Sequence, residues 1–148
     1  MYVALSVVMV LLVLHRSCAS TPHIEQNPAL QKYQNETACF PLEERWFIKY
    51  RNKESDSMFG GTAKCVRFSE TDPGEDGAYP VILEYEPDVS IDLTVTLSSS
   101  PGYTAQNILN FRPQGQNISA QAISAYKDVK KCDVLRLPYA GGKFCSFI

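Results

Sequence analysis

Val89-Ser90-Ile91-Asp92-Leu93-Thr94-Val95-Thr96-Leu97-Ser98 alternates apolar and polar residues without a break. Successive side chains of an extended chain point to opposite faces, so this stretch predicts a strand with one buried and one wet side. Just upstream, Pro87-Asp88 marks a turn, and Tyr79–Glu86 alternates in the same way. There Tyr79, Val81, Leu83 and Tyr85 share one phase while Glu84 and Glu86 take the other. The turn cluster Asp72-Pro73-Gly74-Glu75-Asp76-Gly77 separates it from another strand, Thr62–Ser69, entered through Gly60-Gly61. Trp46, Ile48 and Tyr50 mark one face of a first strand.

Downstream, Ser99-Ser100-Pro101-Gly102 ends the central strand. Further strands are expected at Gln106–Arg112, Ile118–Tyr126, Asp133–Leu137 and Phe144–Ile148. Before them all, Asn27-Pro28 opens a short helix over Ala29–Tyr33, with Asn as cap and Pro at the first helical position. Eight short strands joined by turns predict an all-β barrel or sandwich. An immunoglobulin sandwich places Trp between its paired cysteines. Trp46 does lie between Cys39 and Cys65, yet Cys39 precedes the first strand. The barrel is the better reading.

The chain has 148 residues, 45% hydrophobic and 20% charged, the balance of one globular domain rather than a disordered or collagen-like chain. Its net charge of −2 and lack of a basic patch exclude a nucleic-acid partner. Tyr2–Leu14 is apolar apart from Ser6 and shorter than the ~20 residues of a membrane-spanning helix. Small residues Ser17 and Ala19 follow, so residues 1–19 read as a signal peptide and 20–148 as a secreted domain without a membrane partner. Four cysteines then remain, Cys39, Cys65, Cys132 and Cys145, enough for two disulfides in any of three connectivities. The sequons at Asn35 and Asn117 are expected glycosylation sites.

No catalytic constellation emerges. Without residues 1–19 the only histidine is His23, too few for a Ser–His or Cys–His site or for histidine-rich zinc ligation. Asp72, Glu75 and Asp76 lack the spacing of a calcium loop and read as a solvated turn. No cofactor and no metal is expected.

Four blocks, Trp46–Asn52, Phe59–Val66, Leu97–Ala105, and Lys131–Tyr139 with Gly141-Gly142, stand out in the same order along the chain. Together they resemble the tick salivary lipocalins, the group that includes histamine-binding proteins. The resemblance runs from Cys39 to Ile148. It implies an eight-stranded antiparallel barrel with a short amino-terminal helix, secreted in saliva. It also implies a monomer that sequesters a host mediator such as histamine, another amine or a leukotriene. Some such proteins bind host proteins such as complement components instead, so the alternative reading is an inhibitor of host complement or haemostasis that uses loops such as Thr71–Gly77 at the barrel mouth.

By the family pattern Cys39 pairs with Cys145, whereas Cys65 and Cys132 pair with a carboxy-terminal segment. Where that segment's Glu-Leu-Trp is expected, this sequence has Ser146-Phe147-Ile148. It is therefore expected to be a short form or a piece of a longer chain, without the carboxy-terminal helix. A Cys65–Cys132 bridge would restore an even pairing. Trp46 resembles the tryptophan that plugs the closed end of lipocalin barrels, although Glu44-Arg45 replaces the usual Gly-x before it.

An amine cation inside a barrel needs an inward carboxylate, because an unpaired buried charge is very costly. Glu84, Glu86 and Asp92 are out of phase with the apolar faces and are expected in solvent. Asp133, in phase with Leu135 and Leu137, is the best inward candidate, though its place at a strand end also suits a turn. Trp46, Tyr50, Tyr79, Tyr85 and Leu93 complete the expected ligand contacts, as aromatic faces or pocket wall. For a fatty-acid-type mediator, Arg67, Arg112 or Arg136 would supply the cation.

Overall fold

The computed structural model describes residues 24–128, 132–140 and 144–147, with only the backbone of Ile24, Cys132 and 144–147. The expected signal peptide, His23, Gly141-Gly142 and Ile148 lie outside the described residues, as do the side chains of Cys132 and Cys145. The decisive alternating stretch is one strand, Val89–Ser98. Leu93 and Val95 are buried on it, while Ser90, Asp92 and Thr96 are exposed.

Around it the chain forms β1 (Trp46–Phe47), β2 (Tyr50–Arg51), β3 (Arg67–Glu70), β4 (Ala78–Tyr85), β5 (Val89–Ser98) and β6 (Ile108–Pro113). The rest are β7 (Ala120–Asp128), β8 (Cys132–Leu137) and β9 (Phe144–Phe147). All join one antiparallel sheet in the order β1-β3-β4-β5-β6-β7-β8-β9-β2. Its two edges, β1 and β2, are consecutive pieces of a single segment. Trp46 and Phe47 pair with Phe68 and Arg67, and Tyr50 and Arg51 pair with Phe147 and Ser146. The sheet therefore closes on itself through residues 46–51, which is the expected all-β, lipocalin-type barrel.

The expected first strand is thus two, because the segment changes partner midway. The expected strand at Thr62–Ser69 starts only at Arg67. Gly60 (φ +86°), Gly61 (φ +60°) and Cys65 (φ +55°) take left-handed backbone conformations that interrupt extended pairing. A Cβ on Gly60 would also lie 2.9 Å from Val66 Cγ2. The expected amino-terminal helix is present as a 3-10 helix, Pro28–Tyr33, whose cap Asn27 accepts a hydrogen bond from Ala29 N at 3.1 Å.

The two ends of the barrel differ. One is floored by residues 24–45: Gln31 Oε1 accepts from Thr104 N at 2.9 Å, Glu36 N donates to Gln106 O at 2.8 Å, and Leu42 N donates to Glu70 Oε2 at 2.6 Å. The other is covered by the loop 52–66. Asp56 of that loop accepts from Tyr139 Oη at 3.0 Å, and Arg51 Nη2 donates to Phe59 O at 2.7 Å. This latching inserts the Phe59 ring into the barrel, 4.9 Å from Phe111 and 5.5 Å from Phe68 between centroids. With Leu83, Val95, Leu109 and Leu137 these rings form the core. Each such side chain fully buried contributes roughly 1.5–3 kcal/mol. The turn 71–77, expected at the barrel mouth, lies at the floored end, because the β3–β4 hairpin turns there beside Leu42 and Glu70.

Candidate functional site

The polar residues buried above the floor are the chemically distinctive part of the barrel. Strand β7 alternates inward at Ala120, Ala122 and Ser124, a phase that would turn Lys127 outward. A bulge between Ser124 and Tyr126 inserts one residue and reverses the phase. Tyr126 is consequently exposed and Lys127 is buried, facing Asp133 in register across β8. The bulge frees the Ala125 carbonyl, which accepts from Gln34 Nε2 at 3.0 Å. Tyr103 Oη in turn donates to Gln34 Oε1 at 2.7 Å.

Lys127 Nζ donates to Asp133 Oδ2 at 3.0 Å and to Glu36 Oε2, and it sits 4.7 Å from the centroid of the Trp46 ring. Ser124 Oγ donates to the other Asp133 oxygen at 3.2 Å. The Lys127 side chain is 2% exposed and those of Glu36 and Asp133 not at all. Glu36 Oε1 is buried and has no hydrogen-bond partner.

Burial first, and then the neighbouring Asp133 charge, push the Glu36 carboxyl from its ordinary value up to about 8. Burial alone would lower the Lys127 ammonium. The neighbouring Asp133 and Glu36 acidic groups outweigh it and hold the ammonium above its usual range. At neutral pH Glu36 is therefore largely the protonated acid. Burial also raises the Cys39 thiol beside it, which disfavours the thiolate.

Above the cluster lies an apolar cavity of about 30 Å³, lined by Trp46, Phe40, Phe59, Phe68, Phe111 and Leu135 among others. That is room for about one water, so the barrel is filled by its own side chains while the loop 52–66 is in place. Trp46 belongs to both the cavity wall and the Lys127 cluster.

Of the expected contacts, Asp133 and Trp46 come together at this cluster. Leu93 is buried in the core but does not line the cavity. Tyr79 packs on Phe40 at 4.9 Å and Tyr85 flanks Gly60; both are half-buried and outside the lining. Tyr50 is 65% exposed, because the inward phase of Trp46 and Ile48 does not survive the break between β1 and β2. Glu86 and Asp92 are exposed, and Glu84 pairs with Arg67 at 3.0 Å on the outer face, as the phase predicts. Arg112 is exposed, and Arg136 pairs with the buried Glu25 carboxylate on the outward phase of β8, so no expected arginine lines the cavity.

Phase counting misses both Glu36 and Lys127. Glu36 opens a three-residue 3-10 turn, Glu36–Ala38, too short to show a period, and Lys127 is turned inward only by the bulge. Among the described residues Cys39 and Cys65 form no disulfide, and the side chains of their expected partners, Cys132 and Cys145, lie outside the described residues. Asn35 Oδ1 accepts from Thr37 Oγ1 at 2.9 Å, and Asn117 is exposed. Among the described residues no cluster of three or more His, Cys, Asp or Glu could hold a metal ion. No described helix is long and apolar enough to cross a membrane.

A search of curated proteins found no match. A family model described as Tick histamine binding protein matches residues 24–147, nearly the whole described barrel. A single closed antiparallel barrel and a family match over most of its length together show that this chain belongs to the tick histamine-binding protein family.

Proposed function

We propose that the chain is a secreted salivary barrel that captures a small, mainly apolar host mediator and withholds it from its receptors. The observation that supports this reading is the lining of the interior. Phe40, Phe59, Phe68, Phe111 and the neighbouring aliphatic residues present no charged group to the cavity. Such a wall suits a lipid-type mediator better than a naked cation, whose desolvation it could not offset. Uptake requires the loop 52–66 to lift Phe59 from the barrel, since about 30 Å³ admits no mediator. In this reading residues 1–19 direct export, residues 20–148 are the working domain, and Asn117 on its exposed connection accepts a glycan. Capture is stoichiometric and needs no cofactor.

Trp46 lines the cavity and is the only tryptophan of the chain, so its emission reports filling directly. Titration of the purified protein with arachidonic acid is expected to change Trp46 emission saturably, at one ligand per chain. An unchanged spectrum at micromolar protein and ligand would count against lipid capture. The filled interior, with Phe47 (48% exposed) and Tyr50 on the outer face of the closing segment, favours a second reading, inhibition of a host protein. Inert emission together with binding to a host protein, lost in Phe47→Ser, would favour that one.

A further inference from the structure

We infer that Lys127 is a built-in ammonium that occupies the amine-recognition position of this barrel and closes it to amine cations. The inference rests on the reading that the barrel interior is the mediator site. An ammonium guest buried in a protein needs carboxylates within hydrogen-bond reach and an aromatic face for its remaining surface. Glu36, Asp133 and Trp46 supply all of these, and the group they hold is the side chain of Lys127. An ammonium has three N–H donors. Glu36 Oε2 and Asp133 Oδ2 accept two, while the Trp46 ring, 4.7 Å from Nζ, and the Cys39 thiol are its other neighbours.

The placement is built into the fold. Lys127 faces inward only through the bulge after Ser124, and Gln34 pins that bulge at the Ala125 carbonyl. Trp46, which lies 4.7 Å from Lys127 Nζ, also lines the apolar cavity, so a guest entering the barrel would meet a floor whose charge is already matched. A second cation there would face the Lys127 charge in a poorly solvated site. Lys127 thereby selects neutral or apolar guests over amines, although the two acidic side chains that would receive an amine, Glu36 and Asp133, are present.

The test replaces the tethered ammonium with a free one. Wild-type protein, Lys127→Ala, Lys127→Met and Lys127→Ala/Asp133→Asn are titrated with histamine and with butylammonium, following Trp46 emission and the thermal midpoint. Wild type is expected to show no saturable response. Lys127→Ala is expected to gain at least about tenfold in affinity for both amines and to melt higher in their presence. The double variant is expected to lose that gain. Should the Lys127 variants be unfolded alone, butylammonium is expected to restore their fold.

Saturable histamine binding by wild type that Asp133→Asn abolishes would overturn the inference. So would Lys127 variants that neither gain amine binding nor are restored by butylammonium. Failure of the arachidonic acid titration alongside a gain of amine binding would strike the sequestration reading and leave the role of Lys127 standing. The reverse pattern would strike the role of Lys127 alone.

Discussion

Lys127 Nζ lies 3.0 Å from Asp133 Oδ2, and the two residues face each other in register across β7 and β8 with both side chains withdrawn from solvent. Buried ion pairs contribute little over an apolar replacement of the whole pair, but breaking one from a single side leaves an uncompensated charge. Lys127→Met is therefore expected to cost about 3–5 kcal/mol in urea denaturation. Adding Asp133→Asn to it should recover part of that loss. Additive losses in the double variant would show that the pair is not coupled.

The Glu36 carboxyl, held at about 8 in the fold against 4.5 ordinarily, ties stability to pH. Between those values the unfolded chain has released a proton that the folded chain keeps. The contribution is full below about 4.5, declines as pH rises, and is lost above about 8. Wild type is expected to lose stability across that window relative to Glu36→Gln, measured as denaturation midpoints against pH. Parallel pH profiles for the two proteins would refute the assignment.

Gln34, fully buried, serves two partners at once, donating to Ala125 O and accepting from the buried Tyr103 Oη. Gln34→Leu fills similar space but strands a carbonyl and a hydroxyl away from water. A loss of about 1–3 kcal/mol is expected, with the stranded, more deeply buried hydroxyl the larger part of it. Tyr103→Phe in the Gln34→Leu background should then recover stability. No recovery would mean that the hydroxyl finds another partner.

Phe59, 4% exposed and stacked edge-on against Phe68 and Phe111, is the side chain that fills the barrel from the loop 52–66. Phe59→Ala is expected to lower stability by about 3–5 kcal/mol. It should also speed the association of arachidonic acid, since less of the interior has to be vacated. Slower or unchanged association in stopped-flow Trp46 emission would place the entry route elsewhere.

The barrel was legible where alternation is uninterrupted. Val89–Ser98 and Tyr79–Glu86 show their inward faces plainly, and with them the outward fate of Glu84, Glu86 and Asp92. Legibility ends where the backbone breaks period two. Left-handed backbone at Gly60, Gly61 and Cys65 turns a stretch with strand-like residues into a loop. The partner change between Phe47 and Tyr50 exposes a tyrosine that alternation would bury. A one-residue bulge hides Lys127 among outward positions, and Glu36 belongs to a segment whose burial depends entirely on tertiary contacts. Asp133 could be found because β8 keeps its phase to the end; its counter-charge could not.

Closure through residues 46–51 has a consequence for how such a protein can be stored and delivered. If the chain captures its mediator one-to-one, as proposed, it must be present in excess of what it captures and withstand crowding in the fluid that carries it. Open sheets present rows of unpaired N–H and C=O groups that template further strands and seed fibres. Here both margins of the sheet end on the same short piece of chain, and no long margin is left for a neighbour to extend. The seam at Ile48–Lys49 between β1 and β2 is thus a safeguard against self-association, and lengthening it by insertion should make the protein prone to aggregate before it impairs folding.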